Sequence, residues 1–197
     1  MTIEDPPVVE DSDVELMQKL ADGDDIALNN LIDRWGSRVA AFLFKMTGQY
    51  ETSVDLTQET FIKLYQARSR YQPSSGFSTY LFSIASNLAK NHARWKARHP
   101  TVSMDATQDD GSAAIPERVD PCQTPEEAAQ SAEKIRTIHQ AFLRLPADLR
   151  EAMSLFVYEG MSYTEIASVS QCSVKAVETR IYRARQLLKE QLKVLRP

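Results

Sequence analysis

The sequence predicts an all-α protein of two small helical domains joined by a flexible linker, and three observations support this fold class. Through most of the chain, apolar residues recur at three- and four-residue intervals, which is the period of an amphipathic α-helix. Between residues 99 and 123 this period vanishes, and Pro, Gly, Ser and Asp become frequent. On both sides of that gap, Ser or Thr precedes Glu by three residues, which is the capping-box pattern of a helix N-terminus. We therefore expect a disordered acidic leader at 1–11, an N-terminal domain at 12–98, a linker at 99–123 and a C-terminal domain with a helix-turn-helix at 124–197.

The composition is that of an ordinary soluble globular protein, with 197 residues, of which 43% are hydrophobic and 25% are charged. No stretch approaches the roughly 20 apolar residues that span a bilayer, and the acidic N-terminus lacks the basic and apolar regions of a signal peptide. We therefore expect a cytoplasmic protein without membrane insertion. Cys122 and Cys172 lie far apart and match no metal-ligand spacing, so neither a disulfide framework nor a cofactor is predicted.

The charge distribution is more informative than the net charge of −4. Acidic residues dominate the first 25 positions and the middle of the chain. Cations are concentrated near residues 90–98 and in the C-terminal segment from Lys175 to Arg196. Such local clusters can bind phosphate whatever the total charge is.

The first two helices of the N-terminal domain are predicted to be structural. Ser12 and Glu15 open a short helix that ends at Gly23. A longer helix then runs from Asp24 to about Met46, with its apolar residues on or beside one face, and ends before Gly48.

The third helix is predicted from about Ser53 to Arg68, and it has one apolar and one polar face. A solvated surface accounts for the polar face, taken alone, better than a binding site does. The residues of interest on that face are Asp55, Gln58 and Glu59.

A loop marked by Pro73 and Gly76 follows the third helix and is flanked by three aromatic residues. Tyr71, Phe77 and Tyr80 either cap the hydrophobic core or stack on bases drawn out of a duplex.

The fourth helix, from about Ser78 to Arg98, carries a polar flank roughly 110° from its apolar side. Amide and cationic groups on this flank suit contacts with bases and phosphates. Part of the positive charge is also explained by the helix dipole, which favours cations near the C-terminus. The flank consists of Ser83, Asn87, Lys90 and Arg94.

The C-terminal domain begins with Thr124, Pro125 and Glu127, which suit the first turn of a helix that extends to about Leu145. Pro146 ends this helix, and the next one spans residues 147–158.

The stretch from Met161 to Arg185 predicts two short helices with a tight turn between them. Ser162 and Glu165 open the first helix, and the second begins at Ser173. One face of the second helix is apolar, and a polar, cationic face lies opposite, as in helices that enter the major groove. Two amphipathic helices of this kind also simply fill all-α domains.

Three segments of the chain resemble bacterial RNA polymerase sigma factors of the group-four, extracytoplasmic-function (ECF) type. DLTQETFIKLYQA resembles the sigma segment that docks on the clamp-helix coiled coil of the polymerase largest subunit. GFSTYLFSIASNLAKNHAR resembles the segment that melts and reads the −10 promoter element. The stretch beginning LPADLREAMSLF and ending IYRARQLL resembles the domain that reads the −35 element. The segments follow the family's order, with a variable linker between the second and the third.

The resemblance implies a role for each matching residue. Contacts with core RNA polymerase are implied for Asp55, Gln58 and Glu59. Contacts with the −10 strand are implied for Asn87, Lys90 and Arg94, with Ser83 on the same flank and Tyr71 at the family's loop aromatic. The positions that face the −35 element are Lys175, Glu178, Thr179, Arg180, Tyr182 and Arg183.

Two of the −35 positions differ from the rest. Arg180 projects only about 80° from the centre of the apolar face, so it suits a phosphate contact or a side chain lying along the protein surface. Glu178 stands where some relatives carry a cation, and it either accepts a hydrogen bond from a cytosine amino group or repels phosphate.

The resemblance implies a sigma factor that binds core RNA polymerase and promoter DNA, reads the −10 and −35 elements and helps to open the duplex. It also implies an anti-sigma factor as a partner. The alternative is a stand-alone helix-turn-helix regulator, which leaves the docking segment and the basic fourth helix unexplained. A metal-dependent enzyme is disfavoured because the three histidines, His92, His99 and His139, lack ligand spacing and no catalytic motif is present.

Overall fold

A computed structural model of the chain describes residues 12–72, 76–99 and 125–195. The described residues form eight α-helices and two short 3₁₀ turns and contain no strand, which confirms the predicted all-α class. The predicted leader and nearly all of the predicted linker lie outside the described residues. The helices are α1 (Asp13–Ala21), α2 (Ile26–Thr47), α3 (Tyr50–Gln66), α4 (Phe77–Arg98), α5 (Pro125–Leu143), α6 (Ala147–Val157), α7 (Tyr163–Ser170) and α8 (Val174–Gln191).

Two of the predicted capping boxes are formed. The backbone N–H of Ser12 donates to Glu15 Oε2 over 2.6 Å, and the N–H of Glu15 donates back to Ser12 Oγ over 3.3 Å. Ser162 and Glu165 make the same reciprocal pair at the start of α7, over 2.8 Å and 3.3 Å. The box predicted at Thr124 lies outside the described residues. The capping pattern therefore identified the starts of α1 and α7 correctly.

Two helix starts differ from the prediction by a few residues. Helix α2 begins at Ile26 because the Asp24 side chain precedes it and accepts a hydrogen bond from the Ile26 N–H over 3.0 Å. Helix α3 begins at Tyr50, three positions earlier than predicted. Gly48 ends α2 in the left-handed region, at φ +72°, so the chain reverses within very few residues.

Helices α1 to α4 surround an aromatic core at their centre. The rings of Phe42 and Phe82 are 5.3 Å apart and nearly perpendicular, and the Trp35 ring contacts both Phe82 and Phe77 edge-on. Phe42 and Phe82 are almost completely buried. This packing fixes the rotation of α4 about its axis, and the rotation determines which of its residues lie away from the core.

The apolar pattern was wrong about the C-terminal part of α4. The three- and four-residue period predicts Trp95 on the same side of α4 as Phe77 and Leu81, whereas Trp95 is 51% exposed and stacks on His99. The last buried residue of α4 is Ala89, because the helix extends beyond the bundle at that point. The same period predicts Val157 of α6 and Val174 of α8 on apolar faces, but both are about half exposed near helix ends.

The two predicted helical units pack against each other in this structure. Helix α7 lies against α4, and α6 lies against α2. Buried side chains of both units belong to a single hydrophobic cluster, in which Leu81 and Ala85 of α4 join Ile166 and Val169 of α7. Within the described ranges, no helix combines the length and apolarity that crossing a membrane requires.

His139 of α5 forms part of the contact between the units. Its ring stacks on Phe44 of α2, with a centroid distance of 4.9 Å and an interplanar angle of 6°. Burial lowers the pKa of His139, and the nearby Lys45 ammonium lowers it further. The folded chain therefore holds His139 in its neutral form more strongly than the unfolded chain does.

Stability is accordingly expected to fall as the pH drops below about 6.5, the ordinary histidine pKa. The unfolded chain takes up this proton at a higher pH than the folded chain does, so acid favours unfolding, and the His139 contribution is intact only above that pH. His139→Gln should flatten this part of the profile, measured by urea denaturation between about pH 7.5 and 5.5. His99→Gln, at the end of α4, controls for the loss of an imidazole as such. Parallel profiles for the wild type and His139→Gln would contradict the assignment.

Candidate nucleic-acid interface and polymerase-docking surface

The helix-turn-helix is built from α7, a three-residue connection and α8. Gln171 ends α7 in the left-handed conformation, at φ 52°, and Ser173 Oγ then accepts a hydrogen bond from the Ala176 N–H over 3.2 Å. Val177 and Ile181 of α8 are completely or almost completely buried. Burial of this stripe leaves the opposite side of α8 facing solvent.

Five of the six residues predicted to face the −35 element lie on the exposed side of α8. Lys175 and Glu178 form an ion pair there, with Nζ and Oε2 2.7 Å apart, and both side chains remain largely exposed. The Thr179 hydroxyl donates to the Lys175 carbonyl over 2.9 Å. The five residues are Lys175, Glu178, Thr179, Tyr182 and Arg183.

Arg180 is held against the protein instead. Its Nε lies 3.4 Å from Asp148 Oδ2 on α6, and its Nη1 lies 3.4 Å from Cys172 Sγ in the turn. Only 25% of the side chain is exposed. The structure therefore does not bring Arg180 onto the surface formed by the other five residues.

The predicted −10 surface lies along α4. Asn87 and Arg94 are exposed, whereas Ser83 is half-buried and its hydroxyl donates to the Tyr80 carbonyl over 2.6 Å. Lys90 is also half-buried, and its ammonium lies 2.8 Å from Glu151 Oε1 on α6. Helix α4 therefore presents some of the predicted residues to solvent and others to the C-terminal unit.

Tyr71 packs beside α4 in a cluster of aromatic rings. Its ring centroid lies 5.2 Å from that of Tyr80 and 6.3 Å from that of Phe77. Burial raises the pKa of Tyr71, and the Asp13 carboxylate and Tyr80 raise it further. The three aromatics thus do cap the core, and Tyr71 remains partly accessible at its edge.

The predicted polymerase-docking residues lie together on α3. Asp55, Gln58 and Glu59 are all exposed, and Glu59 pairs with Lys63 one turn later, at 3.5 Å. An apolar groove of about 800 Å³ lies between α2 and α3 beside Gln58. Its rim includes Ile62, which is 55% exposed and which sequence analysis did not single out. It also includes Ile26, which the helical period predicts on or beside the apolar face of α2 but which is 68% exposed.

Comparison with known proteins identifies both units. Residues 31–99 match the family sigma-70 region 2, and residues 135–188 match sigma-70, region 4. The chain is 34% identical over 193 residues to the RNA polymerase sigma-H factor of Pseudomonas aeruginosa, covering 95% of this chain and 97% of that protein. It is 32% identical over 184 residues to the ECF RNA polymerase sigma-E factor of Haemophilus influenzae, covering 93% and 97%. The chain belongs to the ECF sigma factors.

Solved structures agree with this assignment. CnrH in complex with the cytosolic domain of CnrY is 26% identical, covers 93% of this chain and 99% of CnrH, and superposes with a TM-score of 0.68. RpoE of Bartonella quintana, solved with the anti-sigma factor NepR, has the same fold at 24% identity, with a TM-score of 0.64 and coverage of 85% and 98%.

As an ECF sigma factor, the protein binds core RNA polymerase, directs it to promoters through their −10 and −35 elements and helps to open the DNA. Region 2 corresponds to α2, α3 and α4, and region 4 corresponds to most of α5 and to α6, α7 and α8. The match to region 2 explains the docking segment and the basic helix that a stand-alone regulator leaves unexplained. The family is not a family of enzymes.

Sequence analysis missed the polar contacts between the two units. Besides Lys90 and Glu151, Arg38 of α2 pairs with Glu159 after α6, with Nη2 and Oε2 2.9 Å apart. Each carboxylate belongs to region 4 and each cation to region 2. The available signal was a glutamate within the apolar stretch of α6, at position 151, but nothing local indicated its partner.

Proposed function

We propose that this sigma factor divides its work among three surfaces: α3 docks on core polymerase, α4 with Tyr71 captures the −10 strand, and α8 reads the −35 duplex. The observation that carries this division is the separation of exposed groups by chemistry. Helix α3 presents two carboxylates and an amide, whereas α4 presents amide and cationic groups. Helix α8 presents hydroxyl and cationic groups and one carboxylate, Glu178, which is paired with Lys175. Cations and amides suit phosphates and base edges, whereas exposed carboxylates suit a basic protein surface.

Capture of the −10 strand needs a place for an unpaired base. Removing a base from the stack costs a few kcal/mol, which contacts with the protein must recover. The partly exposed Tyr71 ring, which packs against Tyr80 at the start of α4, supplies a stacking surface. Asn87 and Arg94, further along the same helix, supply amide and cationic groups. Opening of the duplex thus depends on binding and requires no covalent catalysis by the chain.

We also propose where the protein acts and which kind of partner controls it. The protein acts in the cytoplasm, where polymerase and promoter DNA are found. An anti-sigma factor controls it, as the complex of the sigma factor RpoE of Bartonella quintana with the anti-sigma factor NepR supports. CnrH, which has the same fold, was solved in complex with the cytosolic domain of CnrY.

Run-off transcription with core polymerase tests the division of work as a whole. Templates should carry an intact promoter, a promoter altered at −10, or a promoter altered at −35. We expect a transcript only when this chain is added, and a loss of transcript with either altered template. A chain that binds duplex tightly but directs no promoter-specific transcript would contradict the proposal.

Arg183→Ala should reduce transcription that depends on the −35 element. If Arg183 contacts a base, its loss should cost about 1–3 kcal/mol, which is measurable as the change in promoter occupancy between specific and altered −35 sequences. Lys189→Ala removes a similar exposed cation from the last turn of α8 and serves as the matched control. Unchanged selectivity in a folded Arg183→Ala chain would remove this residue from the −35 surface.

Gln58→Ala should weaken binding to core polymerase without changing promoter preference. We expect a loss of about 1 kcal/mol or more, as for a central interface residue, in a competition assay with labelled wild-type chain. Gln140→Ala deletes the same side chain at an exposed position of α5 and should leave core affinity unchanged. A Gln58→Ala chain that bound core normally but chose different promoters would refute the docking role.

A further inference from the structure

An open cavity of about 840 Å³ is lined by residues of α2, α3 and α5 and by Tyr158 after α6. None of its lining residues belongs to the predicted docking, −10 or −35 sets. Its walls are mostly apolar, and four large side chains on them keep 39–58% of their surface exposed. These four are Tyr50, Ile135, Ile138 and Tyr158. Exposed apolar surface gathered in a concave site is typical of a binding site. We name this cavity the Lys45 groove.

Lys45 is the only lysine, arginine, aspartate or glutamate that lines the groove. Its ammonium lies 4.1 Å from the centroid of the Tyr158 ring, and its hydrogen bond to the Ala41 carbonyl is long, at 3.4 Å. Among the described residues, no carboxylate oxygen lies within 4.0 Å of this ammonium. Burial lowers the pKa of Lys45, because the charge is poorly solvated here. The groove therefore combines apolar walls with one cation that has no anion beside it.

The carboxylate that acts on Lys45 is already bound by another cation. Glu159 raises the pKa of Lys45, which partly offsets the effect of burial. However, Glu159 Oε2 pairs with Arg38 Nη2 over 2.9 Å, and the Glu159 side chain is only 4% exposed. Two cations thus share one carboxylate, so the Lys45 ammonium keeps the capacity to bind a further anion.

We propose that the Lys45 groove binds a small apolar carboxylate, of the kind of a medium-chain fatty acid, with its carboxylate on the Lys45 ammonium and its apolar part against α3 and α5. The cavity lies within the range of about 300–1,000 Å³ that is usual for small organic ligands. A charged hydrogen bond in a poorly solvated site is strong, so the carboxylate sets the orientation of the ligand. Val54, Ile138 and Phe142 are among the side chains that would cover the apolar part. A nucleotide or another multiply charged ligand is disfavoured, because the lining residues supply a single cation.

Calorimetric titration of the full chain with decanoate, below the concentration at which it forms micelles, tests the site. We expect saturable binding of one decanoate per chain. Decan-1-ol carries the same alkyl chain without the charge and should bind at least about tenfold more weakly, because it cannot form the charged hydrogen bond. Decyltrimethylammonium carries the opposite charge and should bind more weakly than decanoate for the same reason. Equal binding of all three would overturn the proposal, and so would the absence of saturable decanoate binding, which would leave the groove to a protein partner.

Lys45→Met tests the contact with the carboxylate, because it removes the charge and keeps most of the apolar stem. It should weaken decanoate binding at least about tenfold and leave decan-1-ol binding unchanged within about twofold. Lys134→Met makes the same change at an exposed position of α5 and should leave both affinities unaltered. A folded Lys45→Met chain that still preferred the acid to the alcohol would overturn the assignment.

Ala41→Trp tests where the apolar part of the ligand lies. Ala41 is exposed on α2 and lines the groove, so an indole at this position should fill part of the cavity. The affinities for decanoate and decan-1-ol should then fall together, because both lose the same space. Circular dichroism establishes that each variant stays helical, and if Ala41→Trp does not fold, Ala40→Leu fills less of the cavity and answers the same question. Full affinity for decanoate in a folded filling variant would overturn the placement of the ligand in the Lys45 groove.

Discussion

The structure depends on helix α4, which packs its apolar side into the N-terminal bundle and presents a polar flank beside it. One side of this helix must bury Phe77, Leu81 and Phe82 to hold the N-terminal bundle together. The adjoining side carries amide and cationic groups, and such groups are costly to bury without partners. The apolar side and the polar flank share the circumference of one helix, so residues at the boundary between them become half-buried. Ser83 and Lys90 occupy this boundary.

The boundary position of Lys90 explains why the contact between the two units is polar at one point and apolar elsewhere. Ala85 and Ala89 of α4 are small and buried, so a neighbouring helix can approach closely. A lysine beside them would lose hydration when α7 and α6 approach, unless an anion accompanied those helices. Glu151 is that anion, and the pairing makes this arrangement of the units specific without making it strongly stable. Apolar burial by Ile166 and Val169 supplies attraction, and the ion pair selects the orientation.

Local physical rules predicted the helices and most of their faces, because capping and periodicity are properties of neighbouring residues. Ser12, Ser162 and Ser173 mark helix starts through hydrogen bonds within three residues, and such contacts can be inferred from spacing alone. Trp95 shows where the method fails, since periodicity identifies a face but not the length over which a neighbour covers it. The hydrogen bond from the Ser86 hydroxyl to the Glu151 carboxylate joins residues 65 positions apart, so no local pattern contains it. Ile26 was wrongly expected on or beside the apolar face of α2, and the exposure of Ile62 was not foreseen, because exposure of an apolar residue depends on the distant packing that surrounds it.

The ion pairs within the chain also limit how many cations of α4 and α8 are free to bind DNA nonspecifically. Nonspecific DNA binding grows with the number of cations free to neutralise phosphates. Here Lys90, Arg180 and Lys175 of the predicted reading surfaces each lie within 3.4 Å of a carboxylate oxygen of the chain itself. The pair at Lys175 is exposed and can exchange for phosphate readily, whereas the pair at Lys90 is buried and can exchange only if α6 leaves α4. Exchange at Lys175 therefore needs no movement of the two units, whereas exchange at Lys90 requires α6 to separate from α4.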